Sequence, residues 1–122
     1  MMRIDNDNNI YITSGDKATI DIQIPLDDGF YEFQTTDILY FTVKKQYSDT
    51  QPVLRKILTF SEPTTTATFY LTSSDTNLSS LSNLPVQYVY DVSINEDQTI
   101  IGYDENGAKC FVVYPEVSND NW

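Results

Sequence analysis

Val86, Tyr88, Tyr90, Val92 and Ile94 occupy every second position of one run, with Gln87, Asp91 and Ser93 between them. A period of two filled with β-branched and aromatic residues predicts a strand with one buried face. Ile20, Ile22 and Ile24 alternate with Asp21 and Gln23, and Ala67, Phe69 and Leu71 alternate in the same way within residues 66–72. Residues 38–45 are apolar on both sides, which predicts a central strand. Shorter runs at 10–13, 30–33, 53–60, 99–103 and 109–114 bring the expected total to seven to nine strands. The period breaks at 73–81, where serine and aspartate cap candidates precede Leu78 and Leu81. This predicts one short helical turn near 74–81.

Turn residues punctuate the strands: Ser14-Gly15-Asp16-Lys17, Asp27-Asp28-Gly29, Ser61-Glu62-Pro63, Asn95-Glu96-Asp97-Gln98 and Asp104-Glu105-Asn106-Gly107. The last is a hairpin signal, because Asn-Gly readily takes the positive φ angles of a tight turn. A single open sheet this apolar would leave one face in water, so two packed layers are expected. The fold class is therefore all-β, an immunoglobulin-like antiparallel β-sandwich rather than a closed barrel. One domain is expected over 10–117, with a flexible N-terminal segment at 1–9 and a polar tail at 118–122. The phase of each strand assigns Ile20, Ile22, Ile24, Phe41, Val43, Phe69, Leu71, Tyr88, Tyr90 and Val92 to the core.

Composition narrows the function more than it names it. The 122 residues carry 18 acidic and 7 basic side chains, a formal charge of −11. Phosphate backbones are bound largely through lysine and arginine, so nucleic acid and anionic membranes are poor partners. No apolar run approaches the ~20 residues that span a bilayer. The N-terminus turns polar at once, which predicts no secretory signal and a protein made in a cytoplasm.

Candidate chemistry is sparse. There is no histidine to activate a serine or threonine, and no catalytic, cofactor-binding or metal residue is assigned. Asp5, Asp7 and Asn9 have the spacing of the first ligands of a calcium loop, but Ile10 stands where the turn glycine belongs. A polar terminus explains them better. Asp27-Asp28 and Asp104-Glu105 read as turn residues beside glycines rather than as an acid pair across a cleft. Asn77-Leu78-Ser79 fits a glycosylation acceptor without a secretory route to use it. The lone Cys110, in an apolar run, is expected to be buried and unreactive, with Lys109 on the opposite face. Tyr47, Tyr103 and Trp122 would suit sugar stacking, but their places on a loop, a hairpin and a tail predict a scattered set. The strand surfaces around Tyr40 and Tyr88 supply the candidate interface anchors.

The order of these elements carries a resemblance. Ser14-Gly15-Asp16-Lys17-Ala18 is followed by Thr36-Asp37-Ile38 and Phe41-Thr42-Val43-Lys44-Lys45. Then come Leu71-Thr72-Ser73-Ser74-Asp75-Thr76, Tyr88-Val89-Tyr90-Asp91-Val92, Thr99-Ile100-Ile101 and Phe111-Val112-Val113-Tyr114-Pro115-Glu116-Val117. Over residues 10–118 this resembles the small β-sandwich proteins encoded among virion structural genes of phages and prophages of Gram-positive bacteria. It is similar, more distantly, to the N-terminal domain of phage baseplate upper proteins. The resemblance implies a non-enzymatic virion component of tail, baseplate or head. Its partners would be other virion proteins and copies of itself in a ring or array, with no cofactor, nucleic acid or membrane. A carbohydrate-binding module that attaches to a host surface is the alternative expectation.

Overall fold

In the computed structural model, which describes residues 2–78 and 84–116, the alternating positions become strands in nearly every case. They are β1 (Met2–Ile4), β2 (Ile10–Thr13), β3 (Ala18–Ile22), β4 (Pro25–Leu26), β5 (Gly29–Phe30) and β6 (Ile38–Lys44). Next come β7 (Leu54–Thr59), β8 (Ala67–Leu71), β9 (Val86–Ile94), β10 (Gln98–Ile101) and β11 (Lys109–Tyr114), with one helical turn, α1 (Ser73–Thr76). The large sheet runs β1-β2-β11-β9-β6-β7, and β10 pairs with β9 beyond the point where β11 leaves it. β3 and β8 make a second layer, and β4 and β5 a separate hairpin.

The result is an all-β sandwich of unequal layers. Its inner face gathers Leu39, Phe41 and Val43 of β6 with Tyr88, Tyr90, Val92 and Ile94 of β9. Ile10, Ile12, Phe111 and Val113 join them from β2 and β11, and Ile20, Ile22, Ala67, Phe69 and Leu71 close the core from the smaller layer. Nine of the ten expected core residues are buried; Ile24 lies past the end of β3 and is half-buried. Each fully buried side chain of this size contributes roughly 1.5–3 kcal/mol, so the strand phases are fixed mainly by this shared interior.

Several expectations change. Eleven strands lie among the described residues, not seven to nine, because β1, β4 and β5 are too short to show a period. The arrangement is not wholly antiparallel: β2 and β11 run parallel, Phe111 facing Ile10 and Val113 facing Ile12. The 30–33 strand ends at Phe30, while buried Phe33 exchanges hydrogen bonds with Thr64 across a single bridge. The helical turn starts and stops earlier than expected. Thr72 is its N-cap, and the Thr72 hydroxyl and Asp75 carboxylate each accept the other's backbone N–H. Positions 79–81 of the expected turn, Ser79 of the acceptor pattern, and the tail at 118–122 lie outside the described residues. At 104–107, Gly107 takes a positive φ but Asn106 does not, and the Asp104 carboxylate caps the turn by accepting the Asn106 N–H.

The N-terminal segment is ordered by one carboxylate. Asp5 accepts the backbone N–H of Asp7 and of Asn9, the Asn9 side-chain amide and the Tyr11 hydroxyl. These bonds, led by the Asn9 N–H, hold its carboxyl below the ordinary value. Asn8 adopts φ 65° at the turn, a region Asn tolerates better than most residues. The turn folds β1 back onto β2, so Met2–Ile4 is a strand instead of part of a flexible arm. Asp5→Ala is expected to speed hydrogen exchange at the β1 amides strongly while lowering global stability only slightly. Unchanged β1 protection would contradict this role.

Candidate functional site

The outer face of the large sheet is built from the alternate residues of the same strands. Thr42 of β6 lies opposite Asp91 of β9, and Lys44 opposite Val89, so these four side chains form one floor. Two exposed tyrosines stand over it. Tyr47 sits at the tip of a turn after β6, where the Gln46 N–H reaches the Asp49 carboxylate and the Asp49 N–H reaches the Gln46 carbonyl. Tyr103 leaves β10 just after Gly102. A Cβ at Gly102 would stand 2.6 Å from the Thr99 methyl and 3.7 Å from the Asp91 Cβ. The close contact is with Thr99 of β10 itself, while the 3.7 Å to Asp91 is ordinary packing, so glycine fits the bend that leads from β10 to Tyr103.

The next residues pin that position. The Asp104 carboxylate is 2.8 Å from the Lys109 ammonium, which is buried at the head of β11. The pairing holds the Asp104 carboxyl down and the Lys109 ammonium up from their ordinary values. Tyr47 and Tyr103, 69% and 70% exposed, meet with ring centroids 5.7 Å apart and planes tilted by 45°. Below them opens a pocket of about 100 Å³ lined by Thr42, Lys44, Val89, Asp91 and Ala108 as well as both rings. Burial raises the Asp91 carboxyl, an effect that Lys44 and Arg55 only partly offset.

The expected scatter of aromatic residues is thus corrected: 56 positions apart in sequence, Tyr47 and Tyr103 form one platform. Trp122 lies outside the described residues. The two anchors named from sequence separate as well. Tyr88 is buried, its hydroxyl donating to the Leu78 carbonyl at 2.7 Å, so it is a core residue and not an interface anchor. Tyr40 is half-buried on the outer face under the Arg55 guanidinium, 4.6 Å from the ring centre. Its phenol is pushed up first by burial and then by Glu96, which also approaches Arg55 at 4.0 Å.

Asp5 and Asp104 are engaged in turns, and among the described residues no group of three or more cysteine or acidic side chains is placed to hold a metal. A broader concavity between the end of β3 and β10 offers little free chemistry, since Asp21 accepts the Thr68 hydroxyl and Gln23 donates to Thr66. No described helix is long and apolar enough to cross a membrane.

Cys110 corrects the expected phase of β11. Lys109, Phe111 and Val113 face inward, so Cys110 faces outward and is half-buried, with the Gln87 amide 3.2 Å from its sulfur. A small thiol reagent is expected to label Cys110 in the native protein, more slowly than in the unfolded chain but without global unfolding. Labelling that tracks the global unfolding rate across denaturant concentrations would contradict this placement.

No protein-family model matches the chain, and no curated protein or solved structure matches it significantly.

Proposed function

We propose that this chain is a non-enzymatic structural protein of a phage particle, a tail, baseplate or head-attached module that works through protein–protein contacts. The observation that carries the reading is the free edge of β7. Among the described residues, β7 pairs with β6 on one side and with no strand on the other. Its six residues offer unpaired backbone groups to a neighbouring strand, a common route to assembly. Apolar side chains flank that edge: Ile57 is 62% exposed on β7, and Tyr70 is 66% exposed on β8. Arg55 is exposed on this edge and keeps it charged, as edge strands commonly are, whereas Lys56 is paired with Asp75 at 2.8 Å. The strand-and-turn order over residues 10–118 supports the same reading.

Particle membership is tested by purifying virions or induced prophage particles and measuring this chain by mass spectrometry, with its density located in maps. Repeated copies in a fixed ratio to a known particle protein are expected; complete absence from particles overturns the proposal. Ile57→Asp changes only an exposed side chain, so it is expected to leave the melting temperature within a few degrees while reducing incorporation about tenfold or more. Unchanged incorporation would clear the β7 edge as the contact.

A further inference from the structure

We propose that the Tyr47–Tyr103 platform and the polar floor beneath it form a binding site for an uncharged pyranose residue of a glycan. The site lies at the β6–β9 outer face, and the inference does not rest on particle membership.

Three features point to this class of ligand. The first is the shape of the platform. With ring planes tilted by 45°, a flat nucleobase can stack on only one of the two rings. A puckered pyranose presents C–H groups in more than one direction and can touch both. Its weakly positive C–H groups meet the negative faces of the tyrosines, the same electrostatics that turn aromatic pairs edge to face. The rings are also already in contact at 5.7 Å, so little order has to be imposed on binding.

The second is the polarity of the floor. Asp91 only accepts hydrogen bonds, Lys44 only donates, and Thr42 does both. Lys44 and Arg55 act on Asp91 through space, but among the described residues none of the three side chains makes a direct hydrogen bond or an ion pair within 4 Å. Vicinal sugar hydroxyls, each a donor and an acceptor, match such a mixture. Lys109 also lines the pocket but is paired with Asp104, so an anion would still meet the Asp91 carboxylate and a chain of net charge −11. The third is scale: a pocket of about 100 Å³ holds the edge of one ring and leaves the rest on the exposed platform. This is the geometry of a site that takes one residue of a longer glycan.

The roles are separable. Tyr47 and Tyr103 stack, Asp91 orients the ring by accepting hydroxyl protons, and Thr42 and Lys44 complete the floor. Gly102 is a positioning residue, since a side chain there would meet the Thr99 methyl in the segment that carries Tyr103.

The test titrates the isolated protein with methyl glucoside, methyl galactoside and methyl N-acetylglucosaminide, followed by backbone NMR shifts. Adenosine and a proline-rich peptide serve as competing ligand classes. At least one pyranoside is expected to shift the amides around Lys44, Asp91 and Tyr103, with a dissociation constant on the order of 1 mM. Tyr103→Ala should weaken it about tenfold, whereas Tyr103→Phe, which keeps the ring, should bind nearly as well. Asp91→Asn should weaken it severalfold without loss of melting temperature, because a carboxylate already disfavoured by burial is removed. Absence of shifts with every pyranoside up to ~50 mM, well above the affinity expected, overturns the proposal. So do shifts away from the platform, indifference to Tyr103→Ala, or tighter binding of adenosine or the peptide.

Discussion

Phe41→Ala is expected to lower stability by about 3–5 kcal/mol, the largest loss from any single substitution named for this protein. Phe41 is fully buried at the middle of β6, the strand between β7 and β9. Its ring lies 5.7 Å from Phe69, 5.3 Å from Tyr90 and 6.0 Å from Phe111. Those partners come from the opposite layer, from the neighbouring strand, and from the strand beyond that. Alanine therefore opens a cavity where four strands of the two layers meet, and the β-sheet backbone around it cannot collapse inward. Small domains have only about 5–15 kcal/mol in total, so much of it would be lost. Denaturant unfolding should show a lower midpoint with an unchanged slope. Phe41→Leu, which keeps most of the volume, should cost markedly less. A loss below about 1 kcal/mol for Phe41→Ala would mean that Phe41 does not bridge the layers.

Asp37→Ala is expected to cost about 2–4 kcal/mol by stranding hydrogen-bond donors at the start of β6. Asp37 is 5% exposed and accepts from the Tyr31 hydroxyl at 2.7 Å, the Gln34 N–H at 2.8 Å and the Asn95 amide at 2.9 Å. Asn95 in turn accepts the Ile38 N–H, and its own N–H donates to the Ile38 carbonyl. One carboxylate thus ties the entry to β6 to the turn between β9 and β10. Asn95 and Glu96 hold φ values of 55° and 61° in that turn, a conformation with a cost of its own that the Asp37–Asn95 contact offsets.

The same residue makes a pH prediction. Burial opposes ionisation of Asp37, but the Gln34 N–H, the Asn95 amide and the Tyr31 hydroxyl outweigh it and hold the carboxyl below its ordinary value. A carboxyl with a lower pKa in the folded state stabilises fully above its unfolded value, about 3.9, and loses that contribution as pH falls through the folded value. Asp5 shifts down through the Asn9 N–H and Asp104 through Lys109. Asp75 does so too: burial opposes its ionisation, but the Lys56 ammonium and the bonds to Thr72 together outweigh it. Asp91 is shifted the other way and works against them. Stability should therefore drop steeply below about pH 4. Asp37→Asn, stable enough to measure at neutral pH, should show a shallower acid limb. Identical acid limbs in the two proteins would remove Asp37 from this account.

Much of the fold was legible because a strand repeats every two residues and one face must leave water. Residues 86–94 and 67–71 needed nothing else: the apolar positions fall in one phase, and those side chains are the buried ones. A two-residue period is less decisive where both phases are apolar. In β11, the lysine at 109 suggested an outward start and an inward Cys110. The packing of Phe111 and Val113 against β2 and β9 reversed that, and Lys109 accepts burial because Asp104 reaches it at 2.8 Å. A polar run such as Asp5–Asn9 reads as loose for a similar reason. Composition counts its affinity for water, but not the four hydrogen bonds that converge on one carboxylate.

By itself the sequence determined that the chain is built of strands, which residues fill most of its interior, and that it offers no histidine. These are properties of local period and composition, and each can be read within a window of about ten residues. Only the tertiary structure decided that Tyr47 and Tyr103 touch, that Tyr88 is spent in the core, and that β7, among the described residues, pairs on one side only. Each of those depends on which strands become neighbours. β9 carries β6 along one side and β10 along the other, and that pairing brings together loops 56 residues apart. Strand order is chosen by the free energy of one shared core, a sum over the whole chain that no local window contains.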